Sequence, residues 1–302
     1  VAHALRGTQT LVGQMSWVFG RPSLTLLEVA WRWLFGIPML LVCWMQARQV
    51  LAVLPLESAG ADNINFQNPW IAAVQCADAW TLYQPHVIAV VAWLAPAAAL
   101  AYAMLSGLGR SLVMKRMDPH LPFRPAAMIV LQAAWLLGLG ATCLGWFRTM
   151  QWAASTHITP SAEPDLIGYT MWAVFLSLGF FTLWALVSWV LSIAPLLVLL
   201  EDISPARALI RSLHLGKAFR GKLVEINLVM GIVKLALIVV AMVFSSVLIP
   251  FADQVGVGTL HLEWIVVSVF YFVASDYFQV VRLKGFVEFW RMYRGPAANS
   301  GE

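Results

Sequence analysis

Six apolar stretches, at about 33–54, 87–108, 126–147, 167–199, 225–249 and 262–281, constrain this chain more than any other feature. Each is long enough to cross a hydrocarbon core of about 30 Å at about 1.5 Å per helical residue. Lipid offers no partner to backbone N–H and C=O groups, so stretches of this length must satisfy them internally, as helices do. The composition agrees: 61% of the 302 residues are hydrophobic and 11% charged, whereas about a quarter of a water-soluble domain is charged. The expected fold class is all-α, an integral membrane helical bundle of about six transmembrane helices. It forms one polytopic domain over residues 1–294, with a flexible tail at 295–302. The fourth stretch is overlong and contains Pro195, which implies either a kink that runs into the interface or a re-entrant break.

The lysines and arginines orient these spans, because short cytoplasmic segments keep positive charge. One side receives Arg6, Arg21, Arg32, Arg110, Lys115, Arg116, Arg124, Arg207, Arg211, Lys217, Arg220, Lys222, Arg282, Lys284, Arg291 and Arg294. The other has only Arg48 and Arg148, beside Glu57, Asp62, Asp78, Glu163, Asp165, Asp253 and Glu263. Both ends are therefore expected inside a bacterial cytoplasmic (inner) membrane. Trp31 and Trp33 on the inside and Trp70, Trp80, Trp146, Trp152 and Trp264 on the outside suit interfacial belts. Trp44, Trp93, Trp135 and Trp184 lie deeper, where bulky packing is the expected role. The numbering starts at Val1, and no cleavable signal-peptide pattern is visible.

Two segments read as helices lying at the inner interface. Residues 4–29 interleave Leu5, Leu11, Met15, Val18 and Phe19 with Arg6, Gln9 and Gln14, break at Gly20, Arg21 and Pro22, and resume from Ser23. Between the fourth and fifth stretches, Ser204 can cap a helix, Pro205 suits its first position, and Gly216 suits its end. Ala206, Leu209, Ile210 and Leu213 then share one face while Arg207, Arg211 and His214 point elsewhere. With Lys217, Arg220 and Lys222 following, Arg207 and Arg211 form a candidate inner-leaflet surface, read either as a topological anchor or as a regulatory or partner-binding surface.

The acidic residue at Glu201 followed by Ala208, Arg211 and Ser212, an A-x-x-R-S helix before a basic turn and a span, resembles a pattern in uncharacterised bacterial six-span membrane proteins. These include the membrane domain attached to some glycerophosphodiester phosphodiesterases. The likeness is local to about residues 200–260. It implies a membrane architecture and no catalytic residue, since no phosphodiesterase domain accompanies it here. Basic segments also precede the first, third and fifth spans, so the chain reads as three hairpins of roughly 90 residues.

Charges inside the spans carry the sharpest local expectation, because an ionisable group in hydrocarbon costs several kcal/mol unless paired or hydrated. Lys234 and Asp276 both fall roughly 9 to 14 Å from the inner surface by helical rise, so neighbouring antiparallel helices can bring them into contact. Such a pair fixes helix register, or lets the lysine snorkel, or serves a proton or ion relay. Small residues at Ala103 and Gly107, Ala134 and Gly138, and Ala141 and Gly145 suggest close packing of the second and third spans.

Chemistry-bearing motifs are sparse. There is no P-loop, no G-x-S-x-G elbow and no H-E-x-x-H. His86, His157 and His261 share the outer side without metal-ligand spacing, no histidine is clearly placed in a span for haem, and Cys43, Cys76 and Cys143 offer no evident disulfide. Catalytic, cofactor and metal sites are accordingly not assigned. Basic residues scattered at helix ends argue against nucleic-acid binding. The expected partners are membrane lipids and a protein partner or second copy. A non-catalytic subunit or scaffold ranks first, a transporter or lipid-handling protein second, and a membrane-embedded enzyme third.

Overall fold

A computed structural model of the chain describes residues 7–59, 69–158, 165–214, 217–247 and 256–298. Among them, helix accounts for nearly everything: α1 (Gly7–Phe19), α2 (Pro22–Val53), a short 3-10 turn (Glu57–Ala59), α3 (Pro69–Met117), α4 (Pro125–His157), α5 (Leu166–Glu201), α6 (Pro205–Leu213), α7 (Lys217–Ser246) and α8 (Val257–Ala298). Six of these, α2, α3, α4, α5, α7 and α8, are long and apolar enough to cross a membrane. The chain is an all-α membrane protein.

Proline marks the starts. Pro22, Pro125 and Pro205 each open a helix, where a missing N–H costs nothing because the first turn has no intrahelical acceptor for it. Pro85, Pro96 and Pro195 lie inside continuous helices. A re-entrant break at Pro195 is thereby excluded: α5 runs unbroken to Glu201 and ends on Asp202, whose φ of 54° is left-handed. Two expected boundaries also shift. α3 starts at Pro69, well before the apolar stretch at 87, and α8 runs to Ala298, beyond the expected boundary at 294. An established helix propagates into polar flanks at little cost per residue, which hydropathy does not register.

The spans pair as three antiparallel hairpins with legible registers. In α2 and α3, Phe35 and Tyr102 meet edge to face at 5.1 Å and the Tyr83 hydroxyl donates to the Leu54 carbonyl at 3.0 Å. In α4 and α5, Trp135 Nε1 donates to Ser188 Oγ at 3.3 Å and Trp146 Nε1 to Ser177 Oγ at 3.0 Å. In α7 and α8, Trp264 Nε1 donates to the Ser245 carbonyl at 3.1 Å. The midpoints of these pairs fall at 68–69, 161–162 and 254–255, about 93 residues apart each time. The roughly 90-residue periodicity is thus present in the geometry. Each tryptophan rung satisfies an indole N–H that lipid leaves unsatisfied, at a net gain of about 0.6 kcal/mol for a typical interhelical bond.

The chain divides into two compact units, residues 31–105 in one and residues 1–30 with 106–302 in the other. Unit 31–105 is the first hairpin, with Arg48 over the Trp44 ring at 4.2 Å.

In the larger unit, burial concentrates at the basic end. Residues 193–199 of α5 are buried on every side, as a helix apolar all round must be. Val280, Val281, Val287 and Trp290 of α8 join them, with Val113 and Met114 of α3, Leu131 of α4 and Ile226 of α7. Toward the acidic end the same helices open: no residue over 166–192 of α5, 231–246 of α7 or 258–275 of α8 is buried. That exposed surface suits acyl chains.

The expected close approach of small residues is real at Gly107 and misplaced elsewhere. A Cβ on Gly107 would lie 2.8 Å from the Ile129 backbone nitrogen, so α3 and α4 meet there without room for a methyl group. Gly138 and Gly145 face Trp184 and Phe180 of α5 instead of the second span. Covalent hairpin closure brings α5 to α4, and aromatic rings fill the hollows that glycine leaves. Gly107→Ala should destabilise the purified protein by about 1–3 kcal/mol through overpacking. Gly231→Ala, where a Cβ meets nothing within 4 Å, should be neutral or slightly stabilising; thermal unfolding in mild detergent compares the two.

Candidate functional site

The densest polar chemistry lies where α1 seats on α8, far apart in sequence and adjacent in space. α1 ends at Phe19 and the chain turns at Gly20 and Arg21 into α2, as the sequence suggests. This returns α1 against the basic-end half of α8. Gln14 is 2% exposed and its Nε2 donates to Glu288 Oε2 at 3.0 Å. The Tyr277 hydroxyl donates to the Met15 carbonyl at 2.8 Å. Lys284, one turn before Glu288, sits 2.9 Å from Glu288 Oε1, and its Nζ also lies 4.4 Å from the centre of the Trp17 ring. Arg21 approaches the same ring at 3.9 Å. Three of these links, Gln14 to Glu288, Tyr277 to the Met15 carbonyl and Lys284 to Trp17, join α1 to α8, so α1 acts as a strap. Gln14 and Val18 are buried, whereas Val12, Ser16 and Phe19 remain exposed.

Sequence reasoning missed Gln14, Trp17, Lys284 and Glu288. Lys284 counted only as one more inner positive charge, yet it is nearly buried. The Lys284 and Glu288 spacing at i and i+4 on one helix face was the available signal.

Ion pairs tie the remaining basic-end loops. Arg291 Nη2 of α8 contacts Asp118 Oδ2 beyond α3, Arg124 Nη2 before α4 meets Asp202 Oδ1 after α5 at 2.9 Å, and Arg211 Nε of α6 lies 3.7 Å from Glu201 Oε1. The adjacent acids Glu201 and Asp202 thus reach in two directions, one to α6 and one to the start of α4.

The candidate inner-leaflet residues have a defined setting only in part. Arg207 and Arg211 are exposed on α6. Lys217, Arg220 and Lys222 belong to the first turns of α7, and their side chains lie outside the described residues. Gly216, the expected helix end, lies outside them too; α6 ends at Leu213, with the His214 N–H donating to the Arg211 carbonyl.

Asp276 is 4% exposed in α8, and Lys234 is half-buried in α7. The Trp264 to Ser245 hydrogen bond sets the register between these helices. Eleven residues inward from Ser245 is Lys234, and twelve inward from Trp264 is Asp276, so the two sit within about 2 Å in depth by helical rise. Outward of them runs a groove of about 530 Å³ lined by Ile238, Met242 and Ser246 of α7 and by Trp264, Ser268 and Phe272 of α8, among others. Stepping inward by four residues from Ile238 and from Phe272 reaches Lys234 and Asp276.

At the acidic end, Asp165 caps α5. The Gly168 N–H donates to its carboxylate at 2.9 Å, and this holds the Asp165 carboxyl below its ordinary 3.8. Slight desolvation opposes that shift, and His157 Nδ1, 3.2 Å away, adds to it. No group of three or more His, Cys, Asp or Glu side chains arranged to hold a metal occurs among the described residues. Cys43, Cys76 and Cys143 are free and exposed.

No protein-family model, curated protein or solved structure matches this chain.

Two outcomes follow from this geometry. Gln14→Ala combined with Tyr277→Phe should release α1, raising amide hydrogen exchange across residues 7–19 at least about tenfold while leaving α4 and α5 unchanged. Removal of two hydrogen bonds of about 1 kcal/mol each accounts for that size. For Asp165, the depressed folded value means its contribution is complete above the unfolded value near 3.8 and disappears as pH falls through the folded value. Acidification below about pH 4 should therefore lower the thermal stability of the wild type by more than that of Asp165→Ala.

Proposed function

We propose that this chain is a non-catalytic subunit or scaffold of a membrane protein complex, held in a bacterial cytoplasmic membrane with both ends on the cytoplasmic side. The observation that carries this reading is the division of the helices along their length. Buried polar groups at the basic end engage other elements: Gln14 meets Glu288, Lys284 lies over Trp17, and Asp118 meets Arg291. At hydrocarbon depth the helices present large apolar side chains outward, including Leu137, Phe181 and Met242. A rigid base with free lateral faces is the form a partner-holding membrane subunit needs. In this reading Lys234 and Asp276 form an intramembrane ion pair that fixes the register of α7 on α8. The likeness of α6 to the membrane domain of some glycerophosphodiester phosphodiesterases fits an architectural role of the same kind.

A second reading rests on the α7 and α8 groove. Its lining is mostly apolar and ends one helical turn from Lys234 and Asp276 in sequence, which suits a transporter or lipid-handling protein.

Native purification in mild detergent, with mass spectrometry of everything that co-elutes, tests the two against each other. The scaffold reading expects a stoichiometric protein partner with wild type and with the Lys234→Ala, Asp276→Ala double variant. A bound lipid or small molecule with no protein partner, lost in that variant, would overturn it in favour of the groove.

A further inference from the structure

The helix α6 has three distinct faces, and among the described residues one of them is buried. At about 100° per residue, Pro205, Ala208 and Ser212 share one side; Ala208 is fully buried and Ser212 is 2% exposed. These small residues let α6 lie close against the body of the larger unit. Roughly a third of a turn away, Ala206, Ile210 and Leu213 form an apolar stripe, with Ile210 61% and Leu213 57% exposed. A further third of a turn on, Arg207, Arg211 and His214 make a basic side, all exposed.

The tethers of α6 fix where it can lie. Three residues, Asp202 to Ser204, separate it from the end of the α5 span, and three, His214 to Gly216, separate it from α7. Links of that length extend at most about 10 Å, so α6 stays at the membrane surface of the basic end. An apolar stripe at that depth meets the outer acyl region, and a basic side next to it meets headgroups. Among the described residues, Glu201, 7% exposed, approaches Arg211 through Nε at 3.7 Å. Arg211 itself remains 56% exposed. His214 Nδ1 engages the Ile210 carbonyl at 2.9 Å, which turns Nε2 outward.

We propose that α6 is a membrane-surface foot that selects anionic phospholipid, its apolar stripe inserted among acyl chains and Arg207, Arg211 and His214 set against lipid phosphates. Arginine suits this role, because its planar guanidinium takes two phosphate oxygens at once. A bilayer is the occupant the geometry favours over a second protein: the stripe is narrow, it is flanked by cation on one side only, and its two tethers already hold it at the lipid. The inference rests on the membrane class of the fold and is independent of the choice between scaffold and transporter.

The test is amide hydrogen exchange over residues 205–213 in the full chain, reconstituted in nanodiscs of phosphatidylcholine alone or of phosphatidylcholine mixed with phosphatidylglycerol. Wild type should exchange at least severalfold more slowly in the anionic membrane. Arg116→Gln, which removes an exposed basic-end charge away from α6, should behave as wild type. The double variant R207Q/R211Q should lose the difference between membranes, and I210S/L213S should exchange fast in both. Equal exchange of wild type in the two membranes would overturn the proposal without reliance on any variant. So would protection that appears in zwitterionic discs only when two copies share a disc, which would make the face a dimer contact.

Discussion

Backbone N–H and C=O groups have no partner in hydrocarbon, and every other feature of this chain follows from the way helices remove that cost. Six spans satisfy their own backbones, so what remains to be decided is how side chains join them. The same lipid that enforces helices also removes the hydrophobic drive to pack helices together. Packing must then come from elsewhere: from covalent hairpin closure, from indole N–H groups that need acceptors, and from glycine hollows filled by aromatic rings. The three hairpins use different rungs, Tyr83 on Leu54, Trp135 and Trp146 on serines, and Trp264 on a carbonyl. The common spacing of their midpoints shows the same solution reached three times along the chain.

Water returns at the basic end, and so does ordinary protein physics. There the all-apolar run at 193–199 is enclosed, α1 is strapped to α8, and acids after α3 and α5 reach arginines on other elements. The excess of positive charge at this end is therefore also structural material. Asp118 holds Arg291, Asp202 holds Arg124, and Lys284 is drawn inward by Glu288 and Trp17. On α6, Arg207, Arg211 and His214 stay exposed beside the apolar stripe of Ile210 and Leu213.

The spans and the breaks at Gly20 to Pro22 and at Ser204 with Pro205 were legible in the sequence, because hydropathy and capping are local signals. The long start of α3 was not. Gln75, Asp78 and Gln84 interrupt the apolar pattern without interrupting the helix, and hydropathy reports lipid contact, not helicity. The strap was invisible for a different reason: Gln14 and Glu288 are 274 residues apart, and nothing local to either names the other. The shared depth of Lys234 and Asp276 could be read from helical rise alone. The partner of α4's small residues could not, since the glycine spacing names a hollow and leaves open which helix fills it.

The chain carries six helices able to span a membrane, and the orientation proposed for them puts the strapped, basic end on the cytoplasmic side. Single cysteines at Ser58, beside the acidic end of α2, and at His120, between α3 and α4, test it most directly; both sites are exposed. In a background lacking Cys43, Cys76 and Cys143, a membrane-impermeant maleimide applied to intact cells should label Ser58→Cys and leave His120→Cys untouched until the cells are opened. Labelling of His120→Cys in intact cells, or protection of Ser58→Cys there, would contradict the account.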